Sequence, residues 1–287
     1  MVYLLICILC TSCLGLMFKY FDLKAYALDR IILVNYLTCG LIGWFYFQEN
    51  ILLVDKASWF SYSIILGFLF ILGFTLYAKS VVLYGLSLAT VVQKLSVVIT
   101  VVIAVFLGDQ LTFLQWIGVG LTPVAFYFIF YKPKINVPLI QKPIQSQLYL
   151  FGIIMISSAI EILFIILNKK NFNIASFQLV LTTYVFIFAF GFALIYSFLK
   201  TKTIRISKIE MIAGVLLGVP NFFSIFYLNK ALNNGLPGSI LFPILNCTVI
   251  VISSSLGILI FNEPASKHKK MGLVFAIIAI YLVSYFK

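Results

Sequence analysis

A chain of 287 residues that is 63% hydrophobic and only 10% charged departs from soluble globular domains, in which roughly a quarter of the residues carry charge. This composition excludes a soluble fold. The net charge of +12 is spread over short connectors, with no soluble domain to display it to nucleic acid.

The apolar residues fall in ten blocks, at 2–18, 28–47, 57–79, 86–107, 113–131, 147–168, 175–199, 209–232, 239–261 and 270–286. Each is long enough to cross a hydrocarbon core of roughly 30 Å as a helix. Continuous apolarity favours helices over the alternating ten-residue strands of a membrane barrel. The expected fold is therefore an all-α integral membrane protein with ten transmembrane helices. The first block is preceded by no basic residue and followed by no small-residue cleavage site, so it is expected to remain as the first span. Its Cys7, Cys10 and Cys13, like Cys39 and Cys247 further on, lie in apolar sequence. Free thiols there behave as small hydrophobes, so neither a disulfide framework nor a metal centre is expected.

Ionisable and amide side chains inside such blocks are costly and usually face a cavity or one another. The second block offers Arg30 near its start and Asn35 and Tyr36 deeper in. The fourth carries Gln93 and Lys94, with Gln93, Ser96 and Thr100 on one helical stripe. The sixth contains Glu161, the eighth Asn221 beside Pro220, and the ninth Asn246 in the stripe Pro243, Asn246 and Ile250. Prolines within helices free backbone carbonyls that a ligand can use. These eight residues, Arg30, Asn35, Tyr36, Gln93, Lys94, Glu161, Asn221 and Asn246, form the candidate substrate-binding set. Two readings of Lys94 and Glu161 are open. Lys94 meets a carboxylate or phosphate on the substrate while Glu161 titrates or holds an amine; or the two form a structural pair, with Lys94 snorkelling to the headgroups. Arg30, following Asp29, reads equally as a gate or an interfacial anchor. Gly214 and Gly218 form a small-x-x-x-small face suited to close helix packing, and His268 is expected in a solvated connector.

The second half of the sequence reads as a repeat of the first, the alternative being chance similarity between two apolar sequences. At an offset of 150 residues Tyr77, Gly85 and Leu86 fall on Tyr227, Gly235 and Leu236; at 154, Phe106, Asp109 and Gly118 pair with Ile260, Glu263 and Gly272. The longest polar connection, 132–145, separates two units of five helices, 1–133 and 146–287. An odd number of crossings inverts the second copy relative to the first, the architecture of many secondary transporters.

The residues that carry these features resemble the EamA-type ten-helix proteins of the drug/metabolite transporter superfamily. In the first half the resemblance lies in the run from Phe74 to Ser87 and in that from Phe106 to Gly118. In the second it lies in Tyr227 to Leu236, in Phe242-Pro243-Ile244-Leu245, and in Phe261-Asn262-Glu263-Pro264 with Gly272. Arg30 also looks like an arginine of that family. Asp109 departs from the family's usual glutamate, Asn262 from its glycine, and Gln93 from its proline. The resemblance implies a non-enzymatic transporter with both termini in the cytoplasm.

The charge distribution points the other way. Lys19, Lys24, Arg30, Lys79, Lys132, Lys134, Lys142, Lys200, Lys202, Arg205, Lys208, Lys267, Lys269 and Lys270 lie on one side, against Lys56, Lys169, Lys170, Lys230 and Lys287 on the other. The positive-inside rule puts the first set in the cytoplasm and both termini outside.

No phosphate-binding loop is visible. The function expected is therefore a gradient-driven secondary transporter or exporter in the cell membrane. Its partners are the bilayer, a small metabolite such as an amino acid or another anionic or zwitterionic solute, and a proton or other coupling ion; no cofactor is expected. The alternatives are a flippase for a lipid-linked substrate and a non-transporting partner subunit.

Overall fold

A computed structural model of the chain describes residues 1–24, 26–46, 59–84, 86–131, 144–170, 172, 177–201, 205–261 and 266–285. Among these, eleven α-helices and no strands occur. They are α1 (Val2–Leu23), α2 (Leu28–Tyr46), α3 (Phe60–Tyr84), α4 (Leu86–Lys94), α5 (Ser96–Phe106), α6 (Phe113–Phe130), α7 (Ile144–Lys169), α8 (Phe177–Thr201), α9 (Lys208–Asn233), α10 (Gly238–Phe261) and α11 (Lys267–Val283). Seven of them, α1, α2, α3, α7, α8, α9 and α10, are long and apolar enough to cross a membrane. Most of the 132–145 connection lies outside the described residues, as do Gly85, Asn262, Glu263 and Pro264 of the repeat and family motifs.

The helix ends follow local chemistry. Thr112 and Gln115 form a capping box at the start of α6, as Ser207 and Glu210 do at the start of α9, each pairing two otherwise orphaned amides. α9 stops where Gly235 adopts φ +82°, a left-handed conformation open to glycine, and Pro237 precedes the first turn of α10.

The chain forms two compact units, and each draws on both halves of the sequence. The first comprises Met1–Ile71 and Ile166–Gly235; the second comprises Leu72–Ile165 and Leu236–Lys287. In the first unit α2 packs on α8 and α9, and α1 on α9. The close approach of α2 and α9 depends on Gly214 and Gly218. A Cβ on Gly214 would lie 2.8 Å from the carbonyl oxygen of Ile31, and one on Gly218 would lie 2.6 Å from Thr38 Cβ. The small-residue face read from the sequence thus performs the packing expected of it.

In the second unit α6 packs along α11, and α10 packs on α5, α6 and α11. Small residues again set the separation. Ala125, Ala276 and Ala279 are buried, and a Cβ on Gly272 would meet the carbonyl oxygen of Ala125 at 2.8 Å. Gln115 adds a polar clasp, its Nε2 donating to the carbonyls of Val283 and Tyr285 at 3.4 and 3.3 Å.

Two expectations need correction. The block 86–107 is not one helix, because the ladder tightens to i→i−3 bonds around Leu95 and separates α4 from α5. No proline or glycine lies at the break. The carbonyl of Ser96 lies within hydrogen-bonding reach of the hydroxyls of Thr100 and Ser158, at 3.1 and 3.2 Å, beside the break. His268 is not in a connector either. It lies in the first turn of α11, its ring 4.5 Å from that of Tyr131 and 6.4 Å from that of Phe128.

Candidate functional site

The polar residues predicted from sequence gather in two groups, one in each unit. In the second unit, Lys94 closes the last turn of α4 at the Leu95 break. Its Nζ donates to Oδ1 of Asn246, on α10, at 2.9 Å. The amide of Asn246 in turn donates to Oε1 of Glu161, on α7, at 3.3 Å. Lys94 has only donors to offer and an ionised carboxylate only acceptors, so the orientation of the Asn246 carboxamide is dictated by its neighbours.

Glu161 is further surrounded by hydroxyls. Thr100, on α5, donates to Oε2 and Ser96 to Oε1, while Ser158, one turn before Glu161 on α7, reaches the Ser96 carbonyl. Lys94 is also near enough to act electrostatically on Glu161. Ser96, Thr100, Ser158 and Asn246 are buried, whereas Lys94 and Glu161 are half-buried. The result is a cation and an anion of opposite chemistry, joined by one amide beside a helix break. Gln93 is half-buried on the other side of the break from Ser96 and does not join this group.

In the first unit, Asn221 donates through Nδ2 to Oδ1 of Asn35 at 3.1 Å. The Cys39 thiol, one turn along α2, reaches the carbonyl of Gly218 at 3.2 Å, just before Pro220. Tyr36 is buried, with the rings of Phe186 and Phe70 at 6.0 and 6.5 Å. These residues serve α2–α9 and α2–α8 packing as much as they offer polar groups. Arg30 pairs with Glu210 at 3.3 Å, and Asp29 with Lys200 at 2.9 Å. Arg30 is thus tied to the capping box of α9, with its side chain 44% exposed. Solvated pairs of this kind contribute little stability.

Sequence reasoning missed some members of these groups. Glu210 was hidden because its partner is 180 residues away, although the Ser207-x-x-Glu210 cap was readable. A further buried amide pair, Asn168 Nδ2 to Asn229 Oδ1 at 3.0 Å, with Asn229 reaching Thr182 at 3.4 Å, carried no periodic signal. Ser158 stood three residues before Glu161, and that spacing alone would have put both on one face of α7.

Comparison with known proteins agrees with this architecture. An uncharacterised protein of Haemophilus influenzae is 24% identical over 291 residues, spanning 98% of this chain and 97% of its own. A solved crystal structure superposes with a TM-score of 0.79 at 14% identity, covering 99% of this chain and 95% of that one, and shares the fold. Residues 1–131 match the EamA-like transporter family, a match that supports the drug/metabolite transporter superfamily, and with the seven long apolar helices it supports a multi-pass membrane protein.

Proposed function

We propose that this protein is a gradient-driven secondary transporter of the cell membrane that moves a small zwitterionic or anionic metabolite, such as an amino acid, by alternating access. The observation that carries the reading is the Lys94–Asn246–Glu161 group. Intramembrane charges are retained where they serve a substrate or ion path. Here they stand beside a discontinuous helix, the feature around which transporter sites are commonly built. Lys94 receives the carboxylate or phosphate of the solute. Glu161 receives its ammonium, or a coupling proton when the solute leaves. The two five-helix repeats, 1–133 and 146–287, supply the inverted symmetry by which such a site is exposed to each side in turn. Within the first unit, Asn35, Tyr36, Asn221 and Arg30 form a second candidate set for solute contact.

The test is metabolite profiling of cells and medium during expression of wild type and Lys94→Met, with membrane levels matched. A zwitterionic or anionic solute whose distribution shifts with wild type and not with Lys94→Met is the expected result. Identical shifts in both would remove Lys94 from the site, and a profile unchanged by wild type would reject transport of soluble metabolites.

A further inference from the structure

Resting on that reading, we propose that Asn246 is an internal stand-in for the substrate: its carboxamide joins Lys94 to Glu161, and substrate enters the site by exchanging with it. Three features of the group support this. The first is polarity. The carboxamide presents an acceptor to Lys94 at 2.9 Å and a donor to Glu161 at 3.3 Å, the same arrangement that a carboxylate and an ammonium on one molecule would present.

The second is spacing. The oxygen and nitrogen of a primary amide are about 2.3 Å apart from standard bond lengths, and the nearest oxygen and the nitrogen of an α-amino acid about 2.7 Å. A solute carrying both charges on one carbon therefore spans Lys94 and Glu161 much as Asn246 does. Each methylene inserted between the charges extends their reach by roughly 1.3 Å, beyond what the amide spans.

The third is the energetic direction of the exchange. Hydrogen bonds between two charged groups are stronger than those from the same charged groups to a neutral amide, so a compact zwitterion outcompetes the carboxamide. Between transport events the amide adds one polar partner to each of the two ionisable groups in a low-dielectric interior. The hydroxyls of Thr100 and Ser96 also reach Glu161, so the carboxylate has donors of its own when the Asn246 contact breaks. Asn246 thereby sets both the resting arrangement and the charge separation that the site accepts.

The experiment measures equilibrium binding of L-alanine, β-alanine and γ-aminobutyrate to the purified full-length protein in lipid nanodiscs, for wild type, Asn246→Ala and Asn246→Ser. Two substitutions are used so that loss of folding in one leaves the other to report. Removing the competing amide, and with it the two hydrogen bonds that substrate displaces, is expected to tighten L-alanine binding by about tenfold or more. In wild type the three amino acids are expected to rank L-alanine first and γ-aminobutyrate last. L-alanine bound no more tightly by a folded variant than by wild type, or the three amino acids bound equally by wild type, would overturn the exchange while leaving zwitterion transport standing. Binding of none of the three by wild type or variants, at millimolar concentrations, would reject both the zwitterionic substrate and the role given to Asn246.

Discussion

The carboxylate of Glu161 accepts hydrogen bonds from side chains on two other helices, and the worth of each can be ranked. Thr100 is fully buried, and its one hydroxyl proton has two acceptors in reach, the Glu161 carboxyl and the Ser96 carbonyl; an ionised carboxylate is favoured because that bond is charge-assisted. Thr100→Val keeps the shape and removes the proton. It is expected to weaken binding of a cationic or zwitterionic solute by about tenfold, corresponding to roughly 1.5 kcal/mol, with little change in expression. Ser158→Ala, which touches the helix break and not the carboxylate, is expected to change affinity less; equal effects of the two in a binding assay would contradict this ranking. The identities of Lys94, Glu161 and Asn246 were legible in the sequence because each is an expensive residue in an apolar block. Their mutual contact was not, since Asn246 lies 152 residues from Lys94 and 85 from Glu161, and nothing local records such a pairing. For the same reason the sequence could not choose between a solute-binding and a structural role for the two charges. The geometry offers a third relation, a pair bridged by an amide.

At the scale of the element, the helix carrying Asn246 is held at its start by a residue from another helix–helix turn. Gly108, with φ +98°, lets the chain turn after α5 so that Asp109 accepts from the backbone amide of Ser239 at 2.9 Å, in the first turn of α10. Both residues are buried, and a carboxylate there satisfies an orphaned donor and complements the positive end of the helix dipole. The acidic residue that the sequence repeat singled out is therefore a helix cap supplied from a distance. Asp109→Ala is expected to destabilise the protein by about 1–3 kcal/mol and to reduce transport through misplacement of α10. Asp109→Asn, which keeps the acceptor and loses the charge, is expected to recover most of the stability, as read by the thermal unfolding midpoint. An alanine variant as stable as wild type would remove the cap from the account. Helix identities and most ends were readable because hydrophobic run length and capping residues are local. The Leu95 break was not, because no proline or glycine marks it in the sequence, and the Ser158 hydroxyl that reaches the Ser96 carbonyl lies on another helix, α7.

At the scale of the whole molecule, orientation in the membrane follows from charge. α9 runs 26 residues from Lys208 to Asn233, about 39 Å at 1.5 Å per residue, so its two ends lie on opposite sides of a bilayer core of roughly 30 Å. The approach to α9 carries Arg205 and Lys208, and the end of α8 carries Lys200, whereas the far end of α9 carries Lys230 alone. Lys230 is itself partly spent over the rings of Phe226 and Tyr3, at 4.6 and 5.5 Å. Basic residues are retained on the cytoplasmic side, so the start of α9 is expected inside and its end outside. The five native cysteines are first replaced, since Cys13 is exposed, and single cysteines are then introduced at Ile206 and Asn234, both exposed. In intact cells a membrane-impermeant thiol reagent is expected to label Asn234→Cys, and to label Ile206→Cys only after permeabilisation. The reverse pattern would show that the orientation implied by family resemblance overrides the charge asymmetry. It would also reverse which face of the membrane each end of the helix bearing Asn221 meets.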